Sequence, residues 1–142
     1  MTSELNIEPL TPFIGAEISG IDLRAVTTEQ VAGIRAALLK HQVVFFRDQT
    51  LNQQEHIHFA RQFGELEIHP ATPRGQDNPE VLHIAHGPDS KGRENSWHSD
   101  VTWREKPSLG SILKAVEVPP VGGDTLFANM AEAYNRLPDS LK

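Results

Sequence analysis

The chain has 142 residues, long enough for one domain with a real core, and a formal net charge of −6 without a basic cluster, which argues against nucleic acid and anionic membranes as partners. It contains no cysteine, which excludes disulfides, cysteine-based zinc sites, iron–sulfur clusters and thiol nucleophiles. The first residues show no basic start with an apolar run behind it, and no apolar stretch reaches the roughly 18 residues a membrane helix needs, so a soluble cytoplasmic protein is expected.

In chain order, Leu5–Leu10 reads as a short strand and Phe13–Gly20 as a second, with glycines where bends or close packing would fall. Thr27 followed by Gln30 fits a capping box. Val31, Ile34, Leu38 and Leu39 keep helical spacing, so a helix is predicted over 28–40. Val43–Phe46 is a continuous apolar run, the pattern of a strand buried on both faces. Asn52 caps a second predicted helix that runs to about Phe63, with Ile57, Phe59 and Ala60 facing inward and Gly64 as its stop. The pattern loosens from Glu65 to Asn78. Strands are predicted at Glu80–Ala85, Leu109–Val118 and Asp124–Ala128, a polar mobile loop over 87–94, and a turn at Pro119–Gly123. Residues 129–136 read as a helix and Pro138 as the start of another. One turn of helix does not hold itself together, so the expectation is an α+β chain that forms the N-terminal portion of something longer.

One stretch carries chemistry. In Trp97-His98-Ser99-Asp100-Val101-Thr102-Trp103, an imidazole and a carboxylate stand two positions apart, and in extended or turning backbone such side chains leave on the same side. His98 and Asp100 could grip one divalent ion, and two histidines with one carboxylate form the non-haem iron(II) oxygenase pattern. About one such pair arises by chance in a chain with 7 histidines and 19 acidic residues, so a surface His and Asp in a turn is the plain alternative.

The surrounding blocks lift the motif. Ile14–Leu23, His41–Gln49, Phe63–Pro70, Trp97–Trp103 and Gly122–Leu126 come in that order, and together they closely resemble the Fe(II)- and 2-oxoglutarate-dependent taurine dioxygenase family, which also contains alkylsulfatases and chlorophenoxyacetate dioxygenases. The resemblance spans essentially the whole chain. It implies a double-stranded β-helix (jelly-roll) core with flanking helices, of which residues 1–142 would be the N-terminal portion of a single domain.

By position, the resemblance makes His98 and Asp100 the first two iron ligands and Thr125, in Gly-Gly-Asp-Thr, the hydroxyl that meets a 2-oxoglutarate carboxylate. It makes His69 the contact to sulfonate or sulfate oxygens, with Glu94, Asn95, Val101 and Trp103 framing the substrate. The plain alternatives are a half-buried strand threonine for Thr125 and a loop histidine beside Pro70 for His69. The third ligand, a distal histidine, and the arginine that pairs with 2-oxoglutarate are expected beyond residue 142, and no histidine follows His98. Thr72 and Glu94 stand where taurine-specific members carry Tyr and Asn, so an alkyl sulfate or a longer sulfonate fits as well as taurine, with a carboxylate as a further alternative.

The implied reaction consumes O₂ and 2-oxoglutarate, hydroxylates the carbon next to sulfonate or sulfate, and releases sulfite or sulfate, succinate and CO₂. Neither nucleic acid nor a membrane is expected as a partner, and a homo-oligomer is compatible with this reading. The rival is a truncated, non-catalytic domain of the same fold that binds metal weakly or serves as an interaction module. Of the other histidines, His56 and His58 are expected to be solvated, His41 suits a helix end, and His83 with His86 forms a spare His-x-x-His pair. Trp97 and Trp103 could equally be core aromatics.

Overall fold

The computed structural model describes residues 5–70, 72–87, 96–100 and 102–142. The chain divides into two compact units, one formed by Met1–Phe63 with Glu117–Lys142 and the other by Gly64–Val116.

The first unit holds the regular structure. Strands β1 (Asn6–Pro9), β2 (Ala16–Ser19) and β3 (Val44–Phe45) make a sheet in that order, with β1 antiparallel and β3 parallel to β2. The predicted second strand loses its first residues to a turn. The Thr11 hydroxyl accepts the N–H groups of Phe13 and Ile14, at 3.3 and 3.0 Å, and the Leu10 N–H closes onto the Gly15 carbonyl at 2.9 Å. Gly15 has φ +88°, a conformation that side chains resist, and its N–H donates to the His41 carbonyl. β3 is shorter than the apolar run predicts and only half-buried.

Helix α1 (Thr28–His41) starts as the sequence predicts. The Thr27 hydroxyl accepts the Gln30 N–H, and the Gln30 amide accepts the Thr27 N–H. Its buried residues are Ile34 and Ala37, whereas Leu39 is 67% exposed. Leu39 follows Ile34 by five positions, roughly 140° around the helix, so it leaves the buried stripe. Helix α2 (Gln53–Arg61) is capped reciprocally by Asn52 and Glu55 and buries Ile57 and Phe59. These helices and the sheet enclose a core of Ile18, Leu23, Ile34, Ala37, Leu51 and Phe59. Gln49 stitches its edge, since its amide meets the Leu23 N–H and the Ile21 and Arg47 carbonyls at 3.0–3.1 Å. Helix α3 (Met130–Asn135) follows an Asn129 cap, and a turn of 3-10 helix at Asp139–Leu141 stands where Pro138 predicts a helix start.

None of these elements falls within 64–116. The strands predicted at Glu80–Ala85, Leu109–Val118 and Asp124–Ala128 are irregular backbone. A strand needs a neighbour to take up its ladder, and apolar alternation does not supply one. Along Leu109–Val118 the supposed inner and outer positions are alike, with Leu113 73% and Val116 87% exposed. The loop predicted over 87–94 lies, apart from Gly87, outside the described residues. Among the described residues no helix is long and apolar enough to cross a membrane.

Candidate functional site

His98 and Asp100 sit on irregular backbone in the second unit, and the structure brings them together. His98 Nε2 lies 3.3 Å from Asp100 Oδ1, and His98 Nδ1 lies 2.9 Å from the Ser96 carbonyl. A carbonyl can only accept, so Nδ1 donates to Ser96, and Nε2 is the ring nitrogen turned toward the carboxylate. That is the arrangement of a metal-binding histidine, whose outer nitrogen donates to a backbone oxygen and so fixes the ring. Two donors each about 2.1 Å from one ion, in adjacent octahedral positions, stand about 3 Å apart, so the pair fits a shared cation. Ser99 Oγ and Thr102 Oγ1 bond at 3.0 Å across Asp100 and brace the turn. Both side chains are exposed, at 57% for His98 and 66% for Asp100. Among the described residues no group of three or more His, Asp or Glu side chains gathers around one point.

The residues expected on the substrate side are distributed as follows. His69 lies on the exposed stretch that opens the second unit, and the Thr72 N–H donates to its carbonyl at 2.8 Å, closing a turn. Trp103 is 78% exposed and Trp97 70%, so neither is a core aromatic here. Glu94, Asn95 and Val101 lie outside the described residues. Thr125 belongs to the first unit, where it is exposed. It follows Gly122 and Gly123, at φ +79° and +74°, a left-handed pair that glycine permits. Beyond it Phe127 meets Phe45 edge-on at 5.9 Å, and the Asn129 amide donates to the Phe13 carbonyl at 2.6 Å.

Sequence reasoning missed a junction in the second unit. Glu67 accepts the Arg104 guanidinium on one carboxylate oxygen and the Ser108 hydroxyl on the other. The Arg104 guanidinium also lies 5.4 Å from the centre of the Trp103 ring. Hydrogen bonding from Ser108, then from Arg104, holds the Glu67 carboxyl below the usual glutamate range, and the charge of His69 adds to the effect. The partners are 37 and 41 positions apart, so no local spacing announces them. The only sign was charge, with Glu67 two residues before His69 and Arg104 next to Trp103.

Residues 6–142 match the taurine catabolism dioxygenase TauD, TfdA family, and the chain belongs to that family. It is 43% identical over 146 residues to an alpha-ketoglutarate-dependent sulfate ester dioxygenase of Pseudomonas putida, covering 98% of this chain and 46% of that protein. It is 41% identical to an alkylsulfatase of Acinetobacter baylyi, covering 99% of this chain and 44% of that protein. Among solved structures, a taurine dioxygenase from Burkholderia xenovorans matches 96% of the chain and 49% of its own length, at 42% identity and a TM-score of 0.83. The chain thus spans about half the length of the relatives it matches.

Proposed function

We propose that this chain carries the first two metal ligands and the substrate anion contact of an Fe(II)- and 2-oxoglutarate-dependent dioxygenase acting on a small organosulfur anion. The observation that supports this reading is the His98–Asp100 pair, with one imidazole nitrogen committed to Ser96 and the other facing the carboxylate. His98 and Asp100 would hold iron(II) through Nε2 and a carboxylate oxygen. When bound, iron(II) with 2-oxoglutarate and O₂ supplies the oxidising power for C–H hydroxylation. One oxygen atom goes to succinate, with loss of CO₂, and the other to the carbon next to sulfonate or sulfate. The hydroxylated product then collapses to an aldehyde and sulfite or sulfate.

The chain's own share is placement. Thr125 offers its hydroxyl to a 2-oxoglutarate carboxylate. His69 donates an N–H to the substrate anion, and Trp103, Glu94, Asn95 and Val101 frame the rest of it. The relatives acting on sulfate esters make an alkyl sulfate as good a candidate substrate as taurine. Residues 1–142 would then be the N-terminal portion of one jelly-roll domain of a cytoplasmic enzyme.

A second reading has its own observation. The described residues bring no third ligand side chain to the pair, which suits a weak, non-catalytic metal binder of the same fold. The test uses the protein made from its native gene, with its intact mass read alongside. Formation of succinate from 2-oxoglutarate, matched by sulfate or sulfite release from an alkyl sulfate or sulfonate and abolished by His98→Ala, is the expected result. Metal binding without turnover would favour the second reading, and turnover indifferent to His98→Ala would overturn the assignment of His98.

A further inference from the structure

We propose that Arg104 is a positioning residue that fixes the segment bearing His69 to the segment bearing His98 and Asp100. This rests on the reading of those three residues given above and deepens it. Substrates of this kind are held at the anion and oxidised at a neighbouring carbon, so the spacing between anion contact and metal decides which C–H bond is presented. In residues 64–116 no helix or ladder sets that spacing among the described residues. Side-chain contacts tie the two segments there.

The Glu67–Arg104 junction is built for that task. Glu67 lies two residues before His69, and Arg104 lies four residues after Asp100. Both Glu67 oxygens are engaged, one by Arg104 and the other by Ser108, so the carboxylate has little freedom to turn away. The ion pair is half-sheltered, with side-chain exposures of 28% for Arg104 and 33% for Glu67, where a charge-assisted bond is worth more than on open surface. Arg104 also lies by the Trp103 ring, so one planar cation is held by a carboxylate and an aromatic at once. Lysine would keep the charge but lose the flat contact with the Trp103 ring.

The test compares the whole chain with its Arg104→Met and Arg104→Lys variants by amide hydrogen exchange and by Mn(II) relaxation of histidine ring signals. Arg104→Met is expected to speed exchange across 64–70 about tenfold while leaving α1 unchanged, with Arg104→Lys intermediate. Mn(II) is expected to broaden His98 in all three proteins, and His69 less in Arg104→Met than in the parent. Equal exchange across 64–70 in parent and Arg104→Met would overturn the proposal, as would equal broadening of His69. Faster exchange in α1 as well would mean general unfolding and would also count against it. If Mn(II) broadens neither histidine in the parent, the metal reading fails, while the exchange contrast still decides whether Arg104 holds the segment.

Discussion

At the scale of single residues, the described site is a matter of which lone pairs are already committed. His98 shows this best, because its Nδ1 bond to Ser96 turns Nε2 toward Asp100. Glu67 makes the complementary case, a carboxylate with both oxygens in use. Its folded-state pKa lies below its unfolded value, so the contact stabilises at pH above the ordinary glutamate value of 4.5. That contribution is lost as pH falls through the lowered value. A carbon-detected titration is expected to place the Glu67 midpoint below 4.5, and Ser108→Ala, which removes the largest cause, to move it upward. An unmoved midpoint would mean the Ser108 bond is not made in solution. The His98-x-Asp100 pair was legible because its partners are two positions apart. Glu67, Arg104 and Ser108 were not, since nothing in a linear pattern says which distant charges will meet.

At the scale of elements, ends are set more firmly than middles. Both long helices begin with reciprocal caps that could be read directly, Thr27 with Gln30 and Asn52 with Glu55. The end of α1 was less legible, because Gln42 turns left-handed at φ +67° without being glycine. Such a residue carries strain of about 1–2 kcal/mol, partly offset by the chain entropy glycine would add, so Gln42→Gly is expected to stabilise by about 0.5–1 kcal/mol. A raised urea midpoint with an unchanged slope would show it, and a lowered midpoint would mean that the Gln42 side chain makes a compensating contact. The strands were read too generously for a related reason. Val43–Phe46 finds a partner in β2 and keeps two residues, while Leu109–Val118 has the composition of a strand without a ladder.

At the scale of the whole molecule, the ordered sequence blocks were the most informative feature, and the family match over residues 6–142 bears them out. Which elements those blocks become could not be read from them, because among the described residues the helices and ladders gather in the first unit and the second is tied by side-chain junctions. If His98 and Asp100 are the metal ligands as proposed, and with no third such side chain beside them among the described residues, the chain of 142 residues by itself is expected to bind metal weakly and to form no succinate from 2-oxoglutarate. Robust turnover by that purified chain would require a third ligand from within it. One arrangement reaches further. The first unit is assembled from two stretches separated in sequence, tied by the bond from Asn129 to the Phe13 carbonyl 116 positions away and by the Arg136 guanidinium 4.7 Å from the Phe13 ring centre. The second unit is therefore, along the chain, an insertion between anchored ends. Closing a longer insertion costs only about 0.6 kcal/mol per doubling of its length. Lengthening the chain between the anchored ends is therefore expected to cost the first unit little stability, whatever it does to the stretch that carries His69, His98 and Asp100.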